Sequence, residues 1–232
     1  MALIVRIDVD RPFGRGPFLR HALSRLASDI YFPRVESFGY LRELKIILQL
    51  LNGVRARAYI FFRRCTLPSE SILHLIEAGG HEIGLHLENS RSFDSFANEK
   101  SMLERHIGRP VVAVSKHGSG KARYGFHHYA PYEPANYIHW AQQSGMKLFL
   151  GNLEDPSIRP SEDETGFLAY PSAFWLEPAW RDIRRFTIDW LCTQANVLDI
   201  VLLIHPENVL AEPSLSEDLK RLLRSLDTRM LE

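Results

Sequence analysis

The chain alternates short apolar segments with longer amphipathic ones, and this alternation limits its possible folds more than any other feature of the sequence. The apolar segments are typical of β-strands and lie at residues 2–9, 56–63, 82–87, 111–117, 147–151, 167–174 and 199–206. Between most of them are segments with helical spacing of apolar residues, at 38–53, 69–80, 95–108, 135–145, 180–196 and 214–227. We therefore predict an α/β fold: a distorted, incomplete (β/α) barrel of about seven parallel strands, with a doubly wound open sheet as the alternative.

Length and composition fit a single ordinary globular domain spanning residues 1–232. The sequence is 45% hydrophobic and 24% charged, which is typical of a soluble protein. Lysine plus arginine number 28, as do aspartate plus glutamate, so charge gives no reason to expect nucleic acid or an anionic membrane as a partner. The sequence does not determine the oligomeric state.

Several features favour a cytoplasmic location. Cys65 and Cys192 are the only cysteines, and so low a number fits a reducing compartment, with both as small buried residues, at least as well as a disulfide. The N-terminus has no basic leader and too few apolar residues before Arg6 for a signal peptide. No apolar run is long enough to span a bilayer. We therefore expect a cytoplasmic protein without a transmembrane segment.

Titratable residues stand at the ends of four predicted strands. Asp8 and Asp10 end the first strand, His86 the third, His117 the fourth and His205 the last. The carboxyl ends of parallel strands meet at one rim, where α/β folds collect ligands and catalytic groups. Four independent strands that bring such groups to one rim indicate a catalytic site.

The two aspartates also have an ordinary structural explanation. Asp8 and Asp10 are two positions apart, so both point to one face of an extended strand and repel unless a cation or proton intervenes. Alternatively, Asp10 caps a turn and Asp8 pairs with Arg6 or Arg11. Both explanations are open from the sequence.

Each histidine likewise has two interpretations, because a single histidine at a strand end is often a hydrogen-bonded structural residue. His117 precedes a glycine-rich turn at 118–120, where exposed backbone favours function. His205 follows the apolar run 200–204, so its ring must either face a cavity or have a dedicated partner.

Three motifs in this order and spacing, RIDVD (6–10), GHEIGLH (80–86) and IVLLIHP (200–206), resemble those of the polysaccharide deacetylases of carbohydrate esterase family 4 (CE4). The resemblance implies a distorted β/α barrel with a divalent metal, usually zinc. It further implies that one of Asp8 and Asp10 is a base and the other a ligand, that His86 binds the metal, and that His205 is a general acid.

The sequence departs from the family pattern at three points. Val9 separates the two aspartates, Ser90 stands where a second metal-binding histidine is usual, and SKHGSG (115–120) replaces an arginine–proline motif. The combination looks like a divergent branch of the family associated with bacterial surface-polysaccharide and O-antigen biosynthesis. We expect His117 to supply the histidine that position 90 lacks.

The resemblance implies a zinc site of Asp10, His86 and His117 with an open coordination position, Asp8 as base and His205 as acid. Expected substrate contacts are Glu88, which is also a possible additional ligand, and Gly118, Tyr124, His128 and Trp175. Core packing is an equally good explanation for the tryptophan.

The function expected from these residues is metal-dependent hydrolysis of the N-acetyl amide of a sugar or sugar-linked substrate. Two alternatives come from other classes. One is a metal-dependent hydrolase of a different ester or amide, and the other is a non-catalytic carbohydrate-binding or regulatory protein on a decayed deacetylase fold.

Overall fold

A computed structural model describes residues 2–32 and 34–231, in which nine strands form one sheet. The strands are β1 Leu3–Val9, β2 Ala58–Phe62, β3 Glu82–Leu87, β4 Ala113–Lys116, β5 Leu148–Leu153, β6 Ser161–Glu162, β7 Leu168–Ser172, β8 Phe174–Trp175 and β9 Ile200–Ile204. Their spatial order is β6-β7-β5-β4-β3-β2-β1-β9-β8, and every pairing is parallel except that of β6 with β7. Consecutive strands thus lie side by side, as in a barrel, which confirms the predicted fold class.

In the part of the chain that the structure describes, eight α-helices connect and cover the strands. They are α1 Phe18–Ile30, α2 Arg42–Gly53, α3 Glu70–Gly79, α4 Phe93–Ile107, α5 Pro134–Gln143, α6 Ile188–Gln194, α7 Pro206–Ala211 and α8 Pro213–Ser225. In α2 the residues at helical spacing, Leu44, Ile47, Leu48 and Leu51, are buried in the main core, as the pattern predicts. Within 2–32 and 34–231, no helix combines the length and apolar character needed to cross a membrane.

The curled sheet is nearly closed by a single segment, residues 168–175. Its first part, β7, pairs with β5, and its last part, β8, pairs with β9 at the other end of the sheet. Only Ala173 separates the two strands. The interior of the curl is filled by a second apolar cluster that includes Ile4, Phe61 and Trp175.

The predicted number of strands, about seven, was too low. The strand expected at 167–174 is divided into β7 and β8, because one segment changes its pairing partner from one end of the sheet to the other. The two-residue strand β6, which adds an antiparallel edge, was not predicted. Close packing at this end depends on Gly151, where a Cβ would lie 2.2 Å from the carbonyl oxygen of Pro171.

Helix α1 was not predicted because its polarity is reversed. Its buried residues are Ser24, Ala27 and Ser28, whereas Phe18 is 87% exposed and Ile30 63% exposed. An apolar stripe facing the core, which is the usual sign of a helix in a sequence, is therefore absent from α1. The small polar face instead borders the functional cleft described below.

Candidate metal and acid–base site

Three ligand-type atoms converge at the carboxyl ends of β1, β3 and β4. Asp10 Oδ1 lies 3.1 Å from His86 Nε2 and 3.0 Å from His117 Nδ1, and the two ring nitrogens are 3.3 Å apart. Tetrahedral zinc with bonds of about 2.0–2.1 Å holds its ligand atoms roughly 3.3 Å apart. The triangle therefore has nearly the dimensions that such an ion requires.

The surroundings of these atoms also fit a metal. The ring of His86 is oriented by Ser115, whose Oγ lies 2.7 Å from Nδ1, so that Nε2 is free to face the site. Burial and the charge of Arg63 hold the pKa of His117 well below its usual range, which keeps the imidazole neutral. The buried Oδ1 of Asp10 has no aligned hydrogen-bond donor within the described residues, so it is available as a ligand atom.

Beside this triangle, Asp8 is held by a buried arginine from the same strand. Arg6 donates from Nε to Asp8 Oδ1 (2.8 Å) and from Nη2 to Oδ2 (2.6 Å), and its Nη1 donates to the carbonyls of Leu150 and Gly151. The structural explanation of Asp8 as the partner of Arg6 is therefore correct. The same carboxylate nevertheless lines the cleft, with Oδ2 3.5 Å from His86 Nε2, so the arginine orients it beside the possible metal ligands.

His205 approaches the other oxygen of Asp10, at 3.7 Å between Nε2 and Oδ2. Its Nδ1 donates to Glu177 Oε1 at 2.8 Å, and Asn208 Nδ2 donates to the same oxygen at 3.0 Å. Burial lowers the pKa of His205, but the Glu177 carboxylate outweighs it and raises the pKa to about 10. The imidazole is therefore protonated at neutral pH and can donate a proton into the cleft.

Sequence reasoning missed the residues that support these groups. Glu177 gave no signal because the fold alone brings it to His205. Arg63 donates to the backbone carbonyl of Asp10 at 2.8 Å, and Asn152 donates to the carbonyls of Lys116 and Gly118, at 2.6 and 2.9 Å. Arg6, in contrast, had a signal: a charged residue within an apolar strand, two positions before Asp8, that must find a partner.

The expected substrate contacts divide into two groups. Gly118, Tyr124 and Trp175 line the cleft. Glu88 and His128 are not among the residues that line it, and each is held in a buried network. Glu88 pairs with Arg63 at 2.5 Å and lies outside the three-residue ligand group, and the ring Nε2 of His128 lies 2.8 Å from the carbonyl oxygen of His117.

Position 90 takes no part in the arrangement. Ser90 is buried, its hydroxyl donates to Tyr137 at 3.4 Å, and it does not line the cleft. His117 directly follows β4, which lies beside β3 in the sheet, and it occupies the third corner of the triangle. The candidate Asp/His/His group is thus formed without position 90.

The site opens into a cleft of about 310 Å³, within the size range of small-molecule sites. Its floor consists of the triangle, Asp8 and His205. One wall contains Trp175 and Trp180, whose ring centres are 5.8 Å apart. Helix α1 forms a second wall. The Trp175 ring also lies 5.7 Å from that of His205, and its buried Nε1 has no hydrogen-bond partner within the described residues.

Solved structures of CE4 deacetylases have a similar fold. The chitin deacetylase of the fungal pathogen Colletotrichum lindemuthianum is 12% identical (TM-score 0.52, covering 98% of this chain and 84% of that one). The peptidoglycan deacetylase PdaC of Bacillus subtilis is 14% identical (TM-score 0.51, covering 98% and 85%). A CE4-family pseudoenzyme from Bacillus anthracis is 12% identical (TM-score 0.50), and the match spans 98% of this chain but only 62% of that longer protein.

The likeness is confined to the fold. No protein-family profile matches the sequence, and no characterised protein matches it at the sequence level. The chain therefore has the deacetylase fold, and its activity must be inferred from its own site.

Proposed function

We propose that the chain is a divergent CE4 enzyme that removes an N-acetyl group from a sugar with the help of a divalent metal. One observation carries the proposal: the Asp10, His86 and His117 triangle lies between an oriented carboxylate, Asp8, and a protonated imidazole, His205. A binding protein needs neither a base nor an acid. Their placement around one ligand group is what amide hydrolysis requires.

The three ligands, two nitrogens and one carboxylate oxygen, suit zinc. A divalent ion held there would supply Lewis-acid activation of the amide carbonyl and of water. Asp8 accepts a proton from the attacking water, whose oxygen forms the new bond to the acyl carbon. His205 donates a proton to the sugar nitrogen as the C–N bond breaks, so that acetate and an amino sugar leave.

A role in bacterial surface-polysaccharide biosynthesis and a cytoplasmic setting belong to the same proposal. Both cysteines are free, Cys65 buried and Cys192 partly buried, which fits a reducing compartment. A biosynthetic enzyme in that compartment would meet activated sugar precursors before the finished polymer.

A second candidate, a carbohydrate-binding protein without activity, is favoured by the likeness to a CE4 pseudoenzyme and by Ser90. It differs from the enzyme in a measurable way, because a decayed site would neither retain an ion nor release acetate. The first test is therefore the metal content of zinc-reloaded wild type, His117→Ala and the control His139→Ala, which changes an exposed histidine on α5.

We expect about one equivalent of metal in the wild type and the control and loss of the ion in His117→Ala. Acetate release from N-acetyl sugars should follow the metal content. A wild type that holds no metal after reloading would contradict the proposal and favour the binding protein. Phosphate release from a generic phosphoester, without acetate release from any N-acetyl sugar, would favour the other hydrolase class.

A further inference from the structure

The mouth of the cleft is lined by four arginines, Arg11, Arg15, Arg25 and Arg123, which we call the mouth arginines. Their side chains are accessible: those of Arg11, Arg15 and Arg25 are 42%, 47% and 62% exposed. The chain as a whole has no net charge, so the concentration of positive charge here is local. Such a cluster attracts anions to the entrance.

Two of the mouth arginines form only loose ion pairs with carboxylates. Arg11 Nε is 3.9 Å from Glu207 Oε1, and Arg15 Nη1 is 3.9 Å from Glu212 Oε1. Both separations exceed a hydrogen bond. The Arg15–Glu212 pair is also exposed on both sides, and such pairs contribute little stability. Both guanidinium groups are therefore available to another anion.

The other two are anchored in ways that leave donors free. Arg123 donates from Nε and Nη2 to the backbone carbonyls of residues 125 and 126 and has no carboxylate partner within the described residues. Arg25 pairs with Asp29 at 3.0 Å through Nε, so its terminal nitrogens remain for a ligand. Two of the three acids that line the cleft, Asp8 and Asp10, lie on the floor, and the third, Glu207, is buried.

We propose, resting on the function proposed above, that the substrate is an N-acetyl sugar that also carries an anionic oxygen group, bound by the mouth arginines. Guanidinium forks bind phosphate and carboxylate with two parallel hydrogen bonds, whereas a neutral glycan gains little from them. A cavity of about 310 Å³ suits a sugar and one such group, with the acetyl end on the floor and the anion at the mouth.

The first test measures anion binding without turnover. Binding of inorganic diphosphate and of N-acetylglucosamine 1-phosphate is measured by calorimetry for wild type, Arg15→Gln/Arg123→Gln and the control Arg159→Gln. Arg159 is exposed and does not line the cleft. We expect the double variant to bind about tenfold or more weakly and the control to bind as wild type does. His117→Ala, included because phosphate also binds metals, should retain the binding.

The second test identifies the anion by turnover. Acetate release is compared for N-acetylglucosamine, its 1-phosphate, UDP-N-acetylglucosamine and the 6-carboxylate analogue, N-acetylglucosaminuronic acid. Preference for the phosphate-bearing sugars, lost in the double variant and at high salt, would identify phosphate; preference for the uronic acid would identify carboxylate.

The outcomes separate the two proposals. If neutral N-acetylglucosamine is hydrolysed as well as its anionic forms and the double variant changes nothing, the mouth-arginine proposal is wrong while the deacetylase proposal stands. If the arginines bind anions and no N-acetyl sugar releases acetate, the deacetylase proposal fails instead. Diphosphate binding that disappears in His117→Ala but persists in the double variant would place the anion on the metal site. That result would also contradict the mouth-arginine proposal.

Discussion

His117 and His205 face different oxygens of the same carboxylate, that of Asp10, at 3.0 and 3.7 Å, yet their surroundings shift their pKa values in opposite directions. Burial and the charge of Arg63 lower the pKa of His117. At His205 the Glu177 carboxylate overcomes burial and raises the pKa to about 10. One ring is thus neutral and the other cationic at the same pH.

The shared Asp10 carboxylate therefore does not explain the difference, which comes from Glu177 at His205 and from burial with the charge of Arg63 at His117. His205 has a carboxylate at its rear nitrogen, whereas the rear nitrogen of His117, Nε2, has no hydrogen-bond partner within the described residues. A neutral ring offers a lone pair to a metal, and a cationic ring offers a proton. The predictions below test this division of roles.

The largest effect is expected from Asp8→Asn, which removes the proposed base from the site. Turnover should fall by about 10²–10⁴-fold. Arg6, fully buried, also loses its counter-charge, and the free energy of unfolding should fall by roughly 3–5 kcal/mol. The metal content of the variant, measured alongside, should equal that of the wild type. This result would show that the site is intact. Loss of the ion would mean that Asp8 is the ligand and Asp10 the base.

His205→Ala should reduce turnover by about 10²–10⁴-fold while the metal stays bound. His117→Ala, in contrast, should lose both turnover and the metal. Elemental analysis of the same preparations therefore separates the roles of the two histidines. Full activity in His205→Ala would remove this residue from the mechanism, and loss of the metal would make it a ligand.

Ser115→Ala tests the hydroxyl group that contacts His86, the other proposed ligand histidine. Ser115 lies directly opposite His86 in the pairing of β3 with β4 and fixes the orientation of its ring. Its loss should weaken metal affinity by about 10–100-fold, measured by competition with a chelator. The matched control is Ser90→Ala, a second buried serine that contacts Tyr137 and lies away from the cleft. Equal affinities in the two variants would show that Ser115 does not orient the ligand.

Much of this arrangement follows from the sequence, because strand ends can be located from apolar runs. Asp10, His86 and His117 end three such runs, and parallel strands must bring those ends together. Helices with an apolar stripe, such as α2, are predictable for the same reason.

The rest depends on three-dimensional contacts that no local pattern encodes. Glu177 lies 28 residues before His205 and follows the short strand β8, whose pairing with β9 brings the two together. Helix α1 buries serines and exposes Phe18, which reverses the pattern that marks a helix. Glu88 directly follows β3, the strand of His86, but it pairs with Arg63 and does not line the cleft.

The smallest effect is expected from Glu177→Gln, which keeps a hydrogen-bond acceptor for His205 but removes the charge that raises its pKa. Because the acid must be protonated, the high-pH limb of the kcat profile should move to lower pH, while activity well below that limb changes little. A bound cation lowers the pKa of His205 in the wild type and in the variant alike. The quantity to compare is therefore the difference in pH between the high-pH limbs of the two proteins. Glu164→Gln, at an exposed turn, is the control.

The same substitution should change how stability depends on pH. Since the pKa of His205 is raised on folding, from 6.5 to about 10, its stabilising contribution is complete below pH 6.5 and is lost as pH rises through 10. In Glu177→Gln the folded pKa is lower, so this loss of stability with rising pH should be smaller than in the wild type. Thermal unfolding between these pH values measures it. A variant with the wild-type slope and an unshifted kcat profile would show that Glu177 does not set the protonation of His205, and the contrast with His117 would need another cause.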